Sequence, residues 1–139
     1  MKFDGKFANG LINVLAICAA LISVVGTGYI IHHAFQARRD EDDASALVTN
    51  AISGDIYSQR KLAACYVDGC PPLPRSEIIS CAWRKIILET DGHLPDDRER
   101  ADAVCGALSK TDGEISENAK ATLARRIDAR RAAAGAAPS

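Results

Sequence analysis

The chain has 139 residues, enough for one small domain or for one membrane span with a smaller domain. Its formal net charge of -1 and its aromatic content of 5% argue against nucleic-acid binding, which normally needs basic surface or stacking rings. The charged residues are unevenly distributed, because a long uncharged stretch lies near the N-terminus and nearly all of the charge follows it.

The uncharged stretch covers residues 7–31 and follows a short N-terminal segment, residues 1–6. About 20 helical residues cross a hydrocarbon core of roughly 30 Å, so this stretch predicts a single transmembrane helix. A cleaved signal peptide with its cleavage site near residues 26–28 is the alternative. The apolar run continues past that site to Ile31, which favours the anchor.

The charges that flank this segment only weakly select an orientation. Lys2 and Lys6 precede it, whereas Arg38 and Arg39 follow it at a greater distance. Positive charges favour the cytoplasmic side of a membrane. We therefore expect a single-pass protein of the bacterial inner membrane, with its N-terminus in the cytoplasm and its C-terminal domain in the periplasm.

The rest of the chain shows apolar residues at three- and four-residue spacing, which predicts an all-α domain of about five helices. Residues 32–43 are predicted to be a polar linker, and residues 44–131 the helical domain. Residues 132–139 are small and of low complexity, which is typical of a disordered tail.

Capping residues predict where the first two helices begin and end. Asp42 or Asp43 is the expected N-cap of the first helix, which Gly54 would end. Asp55 is the expected N-cap of a second helix that continues to about Asp68.

Prolines and glycines separate the remaining helices. Residues 70–74 include three prolines and predict a non-helical connector. Ser76 would cap a third helix, which Gly92 would break. A fourth helix is expected over residues 96–110, and residues 111–113 are predicted to form a turn before the fifth.

Side-chain patterns predict which faces of the last two helices are buried. The fourth begins with mixed charges at residues 96–100, interpreted as a solvated face. The apolar positions of the fifth, at steps of four, are Ile115, Ala119, Leu123 and Ile127.

A set of residues at fixed spacing connects the first three helices. In chain order these are Ala51, Gly54, Asp55, Ser58, Gln59, Leu62, Ala63, Tyr66 and Gly69, with Trp83 on the third helix. The pattern resembles a Sel1-like repeat, a tetratricopeptide-like helical repeat. The resemblance implies a stacked helical hairpin that binds another protein and carries no catalytic chemistry.

Each position of this motif has an expected physical role. Gly54 would leave the first helix with a positive φ, and Leu62, Tyr66 and Trp83 would form the centre of the hairpin core. A degenerate second copy is expected further on, with Gly113 in the role of Gly69.

One and a half repeats leave an apolar helix face uncovered, because repeats of this kind are stabilised by their neighbours. This predicts that another protein, either a membrane complex or a second copy of the chain, covers that face.

Four cysteines follow the uncharged stretch, namely Cys65, Cys70, Cys81 and Cys105. A left-handed Gly69 would bring Cys65 and Cys70 together in a Schellman ending, and the other two reach similar heights on neighbouring helices. The preferred pairing is therefore Cys65–Cys70 with Cys81–Cys105. Cys65–Cys81 with Cys70–Cys105 is the alternative pairing, and four reduced cysteines in a cytoplasmic domain are the other alternative. Disulfides would favour an oxidising compartment.

The function favoured by the sequence is a membrane-anchored protein-interaction module, an adaptor or accessory subunit of a membrane complex. No enzymatic activity, cofactor, metal or small-molecule substrate is expected, because the sequence contains no recognisable catalytic or phosphate-binding motif. One alternative is a structural subunit whose transmembrane helix is the main binding element. Another is a thiol-based redox enzyme or sensor that uses Cys65 and Cys70. A zinc site that combines cysteines with His93 is disfavoured, since no Cys-x-x-Cys unit is present.

Overall fold

The computed structural model of the chain describes residues 32–136. The chain divides into two compact units, residues 1–39 and 40–139, and only residues 32–39 of the first are described. Five helices and no strand occur in the described part, which confirms the all-α class. In chain order they are α1 (described over 32–52), α2 (Ile56–Asp68), α3 (Glu77–Leu88), α4 (Pro95–Gly106) and α5 (Lys110–Gly135).

The predicted transmembrane helix at residues 7–31 lies outside the described residues. Within residues 32–136, none of the helices combines the length and the apolar character that a membrane span requires.

Helix α1 is longer than predicted. Residues 32–52 are helical throughout, so Asp42 and Asp43 lie inside a helix and the prediction that one of them caps it is wrong. The predicted linker, residues 32–43, is helical with exposed side chains. It contains no glycine or proline, so the helix meets none of the residues that most readily end one.

The ends of α2 follow the predicted capping residues. The Asp55 carboxylate accepts the backbone N–H of Ser58 at 2.8 Å, and hydrogen bonding from Ser58 lowers the pKa of Asp55. The Gly69 N–H donates to the Cys65 carbonyl at 2.8 Å. Gly54 and Gly69 have φ values of 96° and 84°, a region that residues with a Cβ seldom occupy.

Helix α3 lies at the centre of the fold and packs against α2, α4 and α5. The Ser76 hydroxyl caps it by accepting the Ile79 N–H at 3.3 Å, as predicted. On its inner face, the Ser80 hydroxyl donates to the Ala63 carbonyl of α2 at 2.7 Å. This close approach is compatible with the small side chain of Ala63. The core is formed by buried residues of α1, α2, α3 and α5, namely Ala51, Leu62, Ala63, Trp83, Ile86, Ile87 and Ile127.

The boundary between α4 and α5 differs from the prediction. Helix α4 ends at Gly106, and residues 111–113 belong to the first turn of α5. The Ser109 hydroxyl accepts the Asp112 N–H at 3.2 Å and donates to the Asp112 carboxylate at 2.7 Å. This Ser109 N-cap starts a helix where the Asp-Gly pair predicts a turn.

Helix α5 is also longer than predicted. It continues to Gly135, so the tail predicted to be disordered from residue 132 is helical as far as that glycine. Residues 137–139 lie outside the described part.

Candidate functional site

The motif residues lie at the α1–α2 junction and in the core of the hairpin that α2 and α3 form, which we call the α2–α3 hairpin. Ala51 and Gln59 are both buried, and the Gln59 Nε2 donates to the Ala51 carbonyl at 3.1 Å. Ser58, Leu62, Ala63 and Trp83 are buried as well. These side chains therefore hold the hairpin together and offer little surface to a partner.

Tyr66 departs from its predicted place at the centre of the core. It is only half-buried and packs against the edge of the core, whereas Leu62 and Trp83 lie within it. Burial raises the pKa of the Tyr66 hydroxyl. This hydroxyl has no hydrogen-bond partner among residues 32–136.

Beside Tyr66 lies a groove of about 510 Å³, which we call the apolar groove. Helices α1, α2, α3 and α5 all contribute to it, mostly with aliphatic or aromatic side chains. The lining residues are Val48, Ile52, Leu62, Tyr66, Ile79, Trp83, Ile115, Asn118, Ala119, Thr122, Leu123 and Arg126.

Half of the lining residues come from α5, which forms one wall of the apolar groove. Its apolar positions are Ile115, Ala119 and Leu123, and its polar positions are Asn118, Thr122 and Arg126. The prediction that Ile115 faces the core is wrong, since this side chain is 48% exposed. It lines the groove instead. The periodicity therefore identifies the apolar face of α5 correctly, but it does not show that this face borders an open groove.

Some charged residues of α5 form ion pairs with residues outside that helix, whereas Arg126 does not pair with any described residue. Lys120 pairs with Glu89, and Glu117 accepts Lys85 at 2.6 Å, which lowers the pKa of Glu117. Arg126 lines the groove, is exposed, and has neither a hydrogen bond nor an ion pair from its side chain to the described residues. The apolar groove thus carries one cation without a counterion on its wall.

The cysteines form the two preferred disulfides, and the alternative pairing is wrong. Cys65 and Cys70 have their Cα atoms 4.9 Å apart, and Cys81 and Cys105 have theirs 5.1 Å apart. The first bond ties the end of α2 to the proline connector, and the second ties α3 to α4. Cys65 is only 5% exposed. Catalytic thiols are usually accessible, so this burial supports a structural role for the bond.

Metal-ligating groups are sparse in the described residues. No group of three or more potential ligands occurs within residues 32–136. His93 is exposed, and its Nδ1 lies 2.8 Å from the Thr90 carbonyl oxygen. The zinc alternative requires free thiolates, which four disulfide-bonded cysteines do not supply.

Arg60 on α2 and Asp97 on α4 form an ion pair that the sequence does not predict. Asp97 had been interpreted as part of a solvated face, yet it is 6% exposed. Its carboxylate accepts Arg60 at 2.6 and 2.9 Å and the Leu94 N–H at 2.7 Å. Hydrogen bonding from Arg60 lowers the pKa of Asp97, and the same contact raises the pKa of Arg60. The two residues are 37 positions apart, so no local pattern identifies the pair.

Compared with protein-family models, with curated proteins and with solved structures, the chain matches none of them. The Sel1-like resemblance therefore depends only on the motif residues at the α1–α2 junction and in the α2–α3 hairpin. The predicted role of Gly113 in a degenerate second copy is wrong. Gly113 lies inside α5, whereas Gly69 ends a helix with a positive φ.

Proposed function

We propose that the protein is a membrane-anchored protein-interaction module, an adaptor or accessory subunit of a membrane protein complex. The apolar groove carries this proposal. A groove lined mostly by aliphatic and aromatic side chains is the kind of concave surface at which ligands and partner helices bind. The uncharged residues 7–31 support the anchor, and the two disulfides support a location on the oxidising side of the membrane.

The groove's chemistry favours binding over catalysis. Its lining combines aliphatic and aromatic side chains with one amide, one hydroxyl-bearing threonine, one tyrosine and one arginine. General acid–base catalysis needs titratable groups that can exchange protons near neutral pH. Burial raises the pKa of Tyr66, so its hydroxyl stays protonated in that range, and the described lining contains no carboxylate, histidine or lysine.

Co-purification of the full chain from membranes in mild detergent tests the proposal. Ile115→Arg places a charge in the groove at a partly exposed position, so the fold should tolerate it. We expect this variant to lose a partner that the unmodified chain retains. Tyr57→Arg is the matched control, because Tyr57 is 71% exposed on α2 and does not line the groove. Retention of the same partner by both variants would contradict the proposal.

A second experiment separates this proposal from the alternative in which the transmembrane helix is the main binding element. Residues 7–31 are replaced by an unrelated apolar span, and the rest of the chain is kept. We expect the partner to be retained. Loss of the partner here, with retention in Ile115→Arg, would favour the span as the binding element.

The compartment is tested by blocking thiols in intact cells before lysis. Peptide mapping without reduction should then find Cys65 linked to Cys70 and Cys81 linked to Cys105. Four alkylated cysteines would instead place the domain on the reducing, cytoplasmic side.

A further inference from the structure

We propose that the apolar groove binds a single amphipathic helix of another protein, about three turns long, with an acidic side chain that pairs with Arg126. This inference rests on the proposed function and names the chemistry of the partner.

The length of the groove selects the length of the occupant. Its α5 wall extends from Ile115 to Arg126. At 1.5 Å per residue this wall is about 16 Å long, which corresponds to three turns of a facing helix. A single side chain from a partner loop would cover only part of it.

The shape of the groove favours a helix over an extended peptide. The lining residues of α1, α2 and α3 come in pairs four residues apart, Val48 with Ile52, Leu62 with Tyr66, and Ile79 with Trp83. Leu62 and Trp83 are buried, so the half-buried members of these pairs, Val48, Ile52, Tyr66 and Ile79, are the ones that can form ridges between which the side chains of another helix pack. An extended peptide normally binds by adding to a sheet edge, and residues 32–136 contain no strand.

The charge of the groove selects an acidic partner. Arg126 is its one charged lining residue within the described part of the chain, and it follows Asn118 and Thr122 at steps of four along α5. A carboxylate on the partner would form a charge-assisted hydrogen bond with the guanidinium, whereas a lysine would be repelled. The Tyr66 hydroxyl, from α2, offers one more polar contact.

The test uses helix-locked peptides of about 12 residues and the full chain in lipid nanodiscs. One peptide carries leucines three and four residues apart and a glutamate at the end that meets Arg126. Its twin carries lysine in place of that glutamate, and a third has the same composition in scrambled order. Fluorescence anisotropy measures the affinity of each.

We expect the glutamate peptide to bind about fivefold more tightly than its lysine twin, the range of a partly exposed charge pair. Arg126→Glu should reverse this preference, and Ile115→Arg should weaken both peptides. Arg98→Glu makes the same change in net charge on α4, outside the groove, and should leave the preference unchanged.

Three results would overturn the inference. Equal affinities of the glutamate and lysine peptides would show that Arg126 does not select an acidic side chain. Equal binding of the scrambled peptide would indicate unspecific apolar adsorption, and no binding by any peptide would exclude a helical occupant of this kind. If a partner protein still co-purifies through the groove in that case, the proposed function stands and only the helix is wrong. If the co-purified partner is a second copy of the chain, self-association replaces the inference.

Discussion

The α2–α3 hairpin and helix α4 are built from elements of similar length but are stabilised in different ways. The hairpin buries Leu62, Ala63, Trp83, Ile86 and Ile87 in one apolar core. Helix α4 buries only Asp97 and Ala101. It is attached by the Cys81–Cys105 bond and the Arg60–Asp97 ion pair. The comparison shows that one small domain can combine an apolar core with a helix that depends on covalent and ionic links.

The sequence of α4 explains this difference. Half of the residues between Pro95 and Gly106 are charged, namely Asp96, Asp97, Arg98, Glu99, Arg100 and Asp102. Apolar burial stabilises by roughly 25 cal/mol per Å², and α4 has little apolar surface to bury. We therefore expect α4 to respond to reductant and acid, and the hairpin to respond to loss of apolar volume.

The largest effect is expected from Trp83→Ala, which empties the centre of the hairpin. Trp83 is 2% exposed, so the change should lower the free energy of unfolding by about 3–5 kcal/mol. Chemical denaturation measures it. Tyr57→Ala at an exposed site is the control and should cost less than about 0.5 kcal/mol. Similar losses in both variants would mean that the hairpin is not held by its apolar core.

Removal of the Cys81–Cys105 bond should have the next largest effect. The bond closes a loop with a sequence separation of 24, so replacing both cysteines by alanine should cost about 3 kcal/mol. The same change at Cys65 and Cys70, whose separation is 5, should cost about 2 kcal/mol. Hydrogen exchange should show that α4 loses protection first in the former variant. Uniform loss across α3 and α4 would contradict the distinction between the two regions.

Because Asp97 is buried, we expect the Arg60–Asp97 pair to contribute more to the free energy of unfolding than a surface pair does. Arg60→Met leaves the Asp97 carboxylate without its main partner and should cost about 1–3 kcal/mol. Lys85→Met, which breaks the more exposed pair with Glu117, should cost about 0.2–1 kcal/mol. Thermal unfolding at two salt concentrations compares them. Equal costs would mean that burial of Asp97 adds nothing to the pair.

The pH dependence of α4 should follow from Asp97. Because the pKa of this carboxyl is lower in the folded protein than its ordinary value of 3.8, its contribution to stability is present above that value. It is lost as the pH falls through the folded pKa. The hydrogen-exchange protection factors of α4, taken relative to the intrinsic rate at each pH, should therefore fall in acid before those of the hairpin do. Asp97→Asn should remove this difference, and an unchanged acid response in that variant would assign it to other carboxyls.

The features that the sequence predicted are local ones. Asp55, Gly69 and Ser76 act within one helical turn, and the Cys65–Cys70 bond follows from the same helix ending. Their residue types therefore sufficed to place them. The Cys81–Cys105 pairing was also correct because two consecutive helices set its geometry.

The features that the sequence missed depend on tertiary packing. The burial of Asp97 depends on Arg60 from a distant helix, and the exposure of Ile115 depends on the space that α1 and α2 leave beside α5. The sequence predicts an uncovered apolar helix face but not the groove itself, because the walls of the apolar groove come from four helices. The sequence shows that Arg126 belongs to an arginine-rich stretch of α5, but only the packing shows that it lines the groove.

The central claim is that the apolar groove binds another protein, and site-specific photo-crosslinking tests it most directly. A photoreactive residue is placed at Ile115, or at Tyr57 as the control, in the full chain within native membranes. We expect a discrete protein adduct from position 115 that is absent from position 57, where the side chain is even more exposed. Identical adducts from both positions, or none from position 115, would contradict it.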